Sequence, residues 1–197
     1  MLANHLHMQA PSSPTYSAFE PAQVGGCKHK KKKKSETKGS ATGIKYKPSI
    51  VGTITGEMRG GVIENCRIEG SIESNSNAGG VVGETFNGGR VQYSFVDVEV
   101  LGGRNAGGLV GDMGGTGGNS YLLNSFSDGF IKTNNHLSAG GIFGGGNKDA
   151  IIKKTYSIAK VSAGSSYGEG GITGYSTSHI YDSVSLMKAV GKYTDHT

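Results

Sequence analysis

Several residue types that mark particular protein classes are scarce in this chain. Its 197 residues include no Trp, only four Pro and two Cys, Cys27 and Cys66. The cysteines lie in different segments without metal-like spacing, so they define no metal site and no redox compartment. No apolar run approaches the roughly 18–20 residues that a membrane-spanning helix needs. The N-terminal residues lack the basic-then-apolar order of a secretory signal, so we expect no transmembrane segment and see no signal peptide.

Glycine, by contrast, is abundant. The chain contains 35 Gly, and its hydrophobic fraction is 35%. Collagen would need Gly at every third position, and a low-complexity chain would lack ordered apolar positions. The glycines here recur at long, regular intervals instead. This spacing excludes collagen and indicates a repeat architecture.

Positive charge is concentrated in residues 1–48. They hold nine Lys and two Glu, a net charge of +7, whereas residues 49–197 carry −2. Residues 1–48 show neither helix nor strand periodicity, so we expect a disordered basic leader or linker. Their basic run is either a polyanion-binding patch or a solvated charge run without a partner; its lysines are Lys28, Lys30, Lys31, Lys32, Lys33 and Lys34. The net negative charge of residues 49–197 argues against a nucleic-acid-binding surface in this part of the chain.

Tandem repeats occupy residues 49–197. A block of the form Ala-Gly-Gly followed by a β-branched or aliphatic residue begins at Ala78, Ala106 and Ala139, and a variant begins at Glu169. These starts lie 28, 33 and 30 residues apart. Residues 49–52 resemble a degenerate copy of this Gly-Gly block, one period upstream. Repeats with such a period are typical of stacked architectures.

Other columns of residues follow nearly the same spacing. A small residue recurs at intervals of 28, 31, 30 and 28 residues, with one aliphatic three positions before it and another six positions after it. The small residues are Cys66, Ser94, Ser125, Thr155 and Ser183; the first aliphatics are Ile63, Val91, Leu122, Ile152 and Ile180; the second are Ile72, Val100, Ile131, Val161 and Ala189. Phe95, Phe126 and Tyr156 directly follow three of the small residues.

These columns predict a stacked β-structure. Each period holds three short β-type segments separated by Gly, Asn and Ser turns. One such coil has no core of its own, but stacked coils bury the aliphatic columns and pair their backbone amides. The paired glycines suit either a bend with positive φ or a close backbone approach. We therefore predict an all-β parallel β-helix, or β-solenoid, of about five coils over residues 49–190, with a tail at 191–197.

The repeated Gly-Gly block and the Ser step before it resemble the GLUG-motif repeat over about residues 50–190. That family occurs in bacterial surface proteins, including streptococcal IgA-specific zinc metallopeptidases. The resemblance implies an extracellular or cell-surface location and a non-catalytic role as a spacer or adhesion segment. An accessory fragment of an IgA-specific peptidase is the alternative that it leaves open.

Catalytic motifs give no support for an enzyme. A zinc peptidase needs H-E-x-x-H, which the sequence lacks. Residues 164–168 match the G-x-S-x-G pattern, but we place them in a loop and not at a strand-to-helix junction. We also place His179 in an inter-strand loop. The acidic residues are interpreted as solvated outer-face charges that share no column, and no cofactor or metal is predicted.

Binding is the remaining functional hypothesis. The aromatic column either packs inside the solenoid or forms an exposed stripe that suits a protein or glycan ligand. The terminal coils would expose unpaired strand edges, so we expect further solenoid repeats or a cap to cover them.

Overall fold

The computed structural model describes residues 49–113, 118–134, 137–146, 150–164 and 168–186, together with the backbone of residues 23–25. Within these ranges the chain forms strands and turns and no helix. After β1 (Gln23–Gly25), the strands form five successive coils. Coil 1 contains β2 (Ile50–Gly52), β3 (Thr55–Arg59), β4 (Val62–Glu64) and β5 (Arg67–Glu73); coil 2 contains β6 (Asn77–Gly79), β7 (Val82–Phe86), β8 (Arg90–Gln92) and β9 (Phe95–Gly102); coil 3 contains β10 (Ala106–Gly107), β11 (Val110–Met113), β12 (Ser120–Leu123) and β13 (Phe126–Thr133); coil 4 contains β14 (Ala139–Gly140), β15 (Phe143–Gly146), β16 (Ala150–Lys153), β17 (Tyr156–Ser157) and β18 (Lys160–Ser162); coil 5 contains β19 (Glu169–Gly170), β20 (Thr173–Tyr175), β21 (His179–Tyr181) and β22 (Val184–Ser185).

Equivalent strands of successive coils pair and form four sheets. Sheet A has the order β1-β5-β9-β13-β17-β22, with β18 also on β13; sheet B is β2-β6-β10-β14-β19, sheet C is β3-β7-β11-β15-β20 and sheet D is β4-β8-β12-β16-β21. Pairing between coils is parallel in all four sheets, for example between β5 and β9 and between β12 and β16. The predicted all-β parallel solenoid is therefore confirmed.

One part of the predicted disordered leader is a strand. Strand β1 pairs antiparallel with β5, and Gly25 lies opposite Arg67. Three residues are too few to show a strand period in the sequence, which is why this pairing was not predicted. The rest of residues 1–48, including the six lysines of the basic run, lies outside the described residues, as do Ala189 and the tail at 191–197.

Each coil has four strand positions and not the predicted three. The Gly-Gly block forms a short strand of sheet B, and the apolar residues after it enter sheet C. An ideal Cβ on Gly107 would lie 1.9 Å from the Val110 carbonyl oxygen, and one on Gly108 would lie 2.1 Å from the Gly141 carbonyl oxygen. Neither Gly107 nor Gly108 has a positive φ. The glycine pair therefore permits close backbone approach between two strands. Of the two roles expected from the sequence, a bend with positive φ or a close approach, the structure shows the second.

A column of left-handed residues turns the chain from sheet D to sheet A. The residue before each small residue has a φ between 48° and 57°: these are Asn65, Tyr93, Asn124, Lys154 and Asp182. Asn and Asp adopt this conformation more easily than other residues with a Cβ. Tyr93 and Lys154 are therefore the two strained members of the column.

The aliphatic columns fill the interior. Val91, Leu122 and Ile152 stack in sheet D and are fully buried. Ile180 continues this column but is 45% exposed, because it lies in the last coil and no described coil covers it. The second column behaves in the same way in sheet A, where Ile72, Val100, Ile131 and Val161 are buried one above another.

The small residues form a hydrogen-bonded column beside this core. The Ser94 Oγ accepts a bond of 3.4 Å from the backbone N–H of Cys66, and the Ser125 Oγ accepts one of 3.1 Å from Ser94. Ser183 repeats this contact with the N–H of Thr155 at 3.1 Å. The column thus satisfies backbone donors at a corner where a larger side chain would not fit.

Gly108→Ala should lower the free energy of unfolding by about 3 kcal/mol or more, because the new methyl group must displace the Gly141 carbonyl of the next coil. Urea unfolding followed by circular dichroism measures the loss. Gly89→Ala is the control: its nearest neighbours are atoms of the Met58 side chain at 3.4 Å. We expect the control to lose less than about 1 kcal/mol. Equal losses would contradict the close-approach explanation.

Lys154→Asn should raise the free energy of unfolding by about 0.5–1 kcal/mol, because Asn tolerates the left-handed conformation better than Lys. Lys153→Asn is a matched control, since Lys153 is also exposed but lies at the end of β16. Asn is disfavoured in strands, so the control should be neutral or destabilised. The same unfolding assay compares them, and a destabilised Lys154→Asn protein would refute the strain assignment.

Candidate functional site

An aromatic stack runs along the outer face of sheet A. Phe95, Phe126 and Tyr156 lie at equivalent positions of β9, β13 and β17 and are half-buried. The Phe95 and Phe126 ring centroids are 4.9 Å apart at an interplanar angle of 10°, and the Phe126 and Tyr156 centroids are 5.3 Å apart at 21°. The Arg67 guanidinium carbon lies 4.6 Å from the centroid of the Phe95 ring. The aromatic stack therefore covers its own ring faces and presents mainly ring edges outward.

A column of acidic residues lies beside the aromatic stack. Glu69, Asp97 and Asp128 align on β5, β9 and β13, two residues further along each strand than the aromatic position. Side chains two residues apart on a strand share a face, so both columns point outward. The prediction that the acidic residues share no column was therefore wrong. Their position three residues after the small residue in each of these repeats is the signal that would have revealed them.

Around this acid column the sheet forms an open groove of about 790 Å³. Its lining comes from coils 1 to 4 and comprises Glu69, Gly70, Asp97, Val98, Glu99, Asp128, Gly129, Phe130, Ile158 and Lys160. Gly70 and Gly129 have φ of 132° and 98°, and an added Cβ on Gly129 would lie 2.2 Å from the Val98 carbonyl oxygen. The positive φ at Gly70 and Gly129, together with the close contact at Gly129, therefore favours glycine at these two positions, whereas coil 2 has the buried Val98 at the equivalent place.

The charges in the groove are unevenly compensated. The Arg67 guanidinium pairs with the Glu69 carboxylate at 2.6 Å. Where both members of the pair are described residues, the other ion pair joins Arg59 to Glu57, on sheet C. The Asp128 Oδ1 accepts a hydrogen bond of 2.6 Å from the Gly129 N–H. Asp97 and Asp128 thus present carboxylates without a described basic partner.

A second polar cluster connects sheets B and C. The Asn77 Nδ2 donates to the Glu84 Oε2 at 3.4 Å and to the Asp112 Oδ2 at 3.0 Å. The Asn105 Nδ2 also donates to the Asp112 Oδ2 at 3.0 Å. The Ser138 Oγ donates to the Asn105 Oδ1 at 2.9 Å. This amide–acid cluster joins three successive coils and was not predicted from the sequence.

The amide–acid cluster perturbs both carboxyl groups. Burial, followed by the neighbouring Asp112 charge, raises the pKa of Glu84 above its ordinary value. Burial also raises the pKa of Asp112, although hydrogen bonds from the Met113 N–H and from the Asn105 and Asn77 amides oppose the shift. Both carboxyl groups therefore bind protons more readily in the folded protein than in the unfolded chain.

No family model, curated protein or solved structure matches this chain. Within the described ranges, no three His, Cys, Asp or Glu side chains are grouped to hold a metal ion. The same part of the chain contains no helix that is long and apolar enough to cross a membrane.

The other residues singled out in the sequence lie apart from the groove. His179 is the first residue of β21 and not part of a loop, and its ring stacks 6.5 Å from that of Tyr181. The loop prediction failed because the strand is short and its burial pattern does not alternate. Of the G-x-S-x-G match at residues 164–168, the three central residues lie outside the described ranges.

The amide–acid cluster should make stability depend on pH. An acid with a raised folded-state pKa stabilises the fold most when it is protonated, and this contribution falls as pH rises through the folded-state pKa. The free energy of unfolding should therefore fall as pH rises above about 4.5, the ordinary pKa of Glu84. Glu84→Gln should make the curve flatter, because Gln does not titrate, and it should keep the fold, because Gln can still accept the Asn77 bond. Urea unfolding at a series of pH values measures it.

Glu99→Gln serves as the control for this pH series. Glu99 is an exposed acid on the outer face of sheet A, remote from the amide–acid cluster. Its substitution should leave the pH dependence unchanged. If Glu84→Gln and Glu99→Gln give the same curve as the unmodified protein, the amide–acid cluster does not control the pH dependence.

Proposed function

We propose that this chain is a non-catalytic repeat module of a surface or secreted protein, which acts as a spacer and presents the outer face of sheet A to a protein ligand. The observation that carries the proposal is the alignment of the aromatic stack with the acid column across three successive coils. Two chemically distinct stripes side by side on one sheet form a regular surface that an extended partner can follow.

The spacer role rests on the coil-to-coil pairing. Each coil is joined to the next by parallel strands in four sheets. Such a structure grows along one axis, since every coil contacts only its neighbours, here through four separate sheets. A rod of this kind can hold a ligand-binding face at a distance from its point of attachment.

The chemistry of the face favours a protein over a glycan. A sugar usually binds by laying its apolar face on an open aromatic ring, but here Phe126 is stacked between Phe95 and Tyr156. Ring edges offer apolar contact to side chains, and the acid column attracts basic groups. A polypeptide segment with alternating basic and apolar residues would match both stripes.

Two observations support the surface or secreted location. Cys66 is disulfide-bonded, and disulfides persist mainly in oxidising compartments. The GLUG-like repeats also resemble those of bacterial surface proteins. By the same resemblance, immunoglobulin A is the first ligand to test, because an accessory fragment of an IgA-specific peptidase is the alternative function.

The exposed last coil suggests an additional contact. Val184 and Leu186 are 50% and 66% exposed, and Ile180 is 45% exposed. Ile180 and Val184 continue columns of coil 4, in which Ile152 and Tyr156 are covered by coil 5, and Leu186 directly follows β22. We infer that a further repeat or a cap covers them in the assembled protein. Polyanion binding, the second alternative, would depend on the basic run, which lies outside the described residues.

Binding measurements with the full chain test the proposal. Biolayer interferometry would compare immunoglobulin A, a lysine-rich peptide and a set of glycans as probes. We expect binding to a protein or peptide probe, and a roughly tenfold loss when Asp97→Asn and Asp128→Asn are combined, because two carboxylates of the face are removed. Phe126→Leu should weaken the same binding by removing a ring edge.

Glu57→Gln is the matched control, because Glu57 is a similarly exposed acid on sheet C. It should leave binding unchanged. Equal effects of the sheet A and sheet C variants would show that the ligand does not use the proposed face. Hydrolysis of a peptide or glycan by the purified chain, abolished by one point substitution, would overturn the non-catalytic role.

A further inference from the structure

The two ends of the solenoid are closed to different degrees. In sheet A, strand β1 pairs antiparallel with β5 on the side where a preceding coil would lie, and Ile68, opposite Val24, is fully buried. At the other end of the same column, Ser185 of β22 is only half-buried. In sheet D, Ile63 of coil 1 is 6% exposed, whereas Ile180 of coil 5, in the same column, is 45% exposed. The described chain therefore covers its first coil and leaves its last coil open.

The small-residue column shows where the side chain of Cys66 points. The Ser94 Oγ accepts a hydrogen bond from the Cys66 N–H, and the Ser125 Oγ accepts one from the Ser94 N–H, so each side chain points toward the coil before it. The Cys66 Sγ lies 3.6 Å from the Glu64 carbonyl oxygen, and the Ser94 Oγ makes the same contact with the Gln92 carbonyl oxygen. The two side chains thus have the same orientation. The Cys66 Sγ is therefore directed off the N-terminal end of the solenoid, where β1 lies.

The register of β1 brings the other cysteine of the chain close to this sulfur. Cys66 is disulfide-bonded, and the chain contains one other cysteine, Cys27. Gly25, the last residue of β1, lies opposite Arg67, which directly follows Cys66. Cys27 lies outside the described residues, but it follows Gly25 by two positions, which span up to about 7 Å. A disulfide joins Cα atoms about 4.4–6.8 Å apart, so Cys27 is within reach of Cys66.

We propose that the N-terminal edge of sheet A is an assembly surface for the last coil of a second copy of this chain, and that a Cys27–Cys66 disulfide keeps this surface closed by fastening β1 across it. A parallel strand cannot add where an antiparallel strand already pairs. Head-to-tail contacts of this kind do not close on themselves, so chains with both ends open would form filaments. Caps on terminal coils prevent such growth. The inference does not depend on the ligand-binding role proposed above.

A second copy fits this edge because the two ends are parts of one repeat. Coil 1 and coil 5 each contribute a strand to all four sheets, so coil 1 of one copy can follow coil 5 of another in the same parallel register. Ile63 of the second copy would then stack on Ile180 and remove its exposed surface from water. Cys66 would take the next place after Ser183 in the small-residue column. The columns of the two copies would therefore run on without interruption.

Peptide mapping of the unreduced full chain by mass spectrometry tests the bond. We expect Cys27 and Cys66 in one cross-linked pair of peptides, obtained from protein that runs as a monomer on a non-reducing gel. A free thiol at either position would contradict the proposal. So would a cross-link between two copies, which appears as a covalent dimer on the same gel.

Sedimentation of the full chain with and without a phosphine reductant tests the assembly surface. Each phosphine gives two electrons to one disulfide and takes up the oxygen of a water molecule, whose two protons complete the two thiols. The oxidised chain should stay monomeric, whereas the weight-average mass of the reduced chain should rise roughly twofold or more with protein concentration. A reduced chain that stays monomeric would refute the assembly surface, and an oxidised chain that assembles equally would refute its closure by the disulfide.

Cys66→Ser opens the cap without a reductant. Ser occupies this position in three of the other four coils, so the variant should fold, as circular dichroism can verify. It should assemble to the same extent with and without the phosphine. A variant that folds but stays monomeric would contradict the proposal.

Two lysine substitutions in coil 5 identify the surface that the second copy uses. In the reduced chain, Ile180→Lys should prevent assembly, because stacking would bury its ammonium group against Ile63 of the second copy. Val184→Lys is the matched control: Val184 is 50% exposed in the same coil but continues the outward-facing aromatic column, so assembly should persist. Equal effects of the two substitutions would show that the copies do not meet through their coil ends.

Discussion

Parallel backbone pairing between successive coils is the constraint on which the whole molecule depends. It requires each coil to repeat the path of the one before it, so residues at one position of the repeat lie directly above one another. At Gly107 and Gly108 the strands can approach closely enough to repeat this path only because these residues lack a Cβ. A Cβ there would overlap a carbonyl oxygen of the same or the next coil. Insertions are tolerated only in the turns between strands, which explains why the repeat length varies while the columns stay aligned.

Stacking equivalent residues of successive coils above one another has different energetic consequences for different side chains. Aliphatic residues gain most, since Leu122 is covered by Val91 on one side and Ile152 on the other. The exposure of Ile180 shows the converse, because a coil buries only part of its own core and depends on its neighbour for the rest. Stability is therefore shared between coils, and a defect in one coil should weaken the burial in the next.

The sequence predicted the features that depend on spacing alone. The aliphatic, small and aromatic columns, the parallel solenoid and the number of coils follow from residue intervals. The features that it did not predict depend on the path between columns. The division of the Gly-Gly region into two sheets, the strand at His179 and the amide–acid cluster of Asn77, Glu84 and Asp112 depend on how turns place separate strands. The acid column was a different kind of omission, because the interval between Glu69, Asp97 and Asp128 is present in the sequence itself.

The acid column of sheet A is an alignment that opposes the fold, as is the alignment of Glu57, Glu84 and Asp112 in sheet C. Carboxylates on neighbouring coils are held about 4.8 Å apart by the strand spacing, and two unit charges at that distance repel by roughly 1 kcal/mol in water. The aromatic column beside it gains from its own stacking, and Arg67 compensates only the first member by pairing with Glu69. A repeat could avoid this repulsion with a neutral residue at any of the three positions. The cost is offset when positively charged groups of a ligand lie along the column.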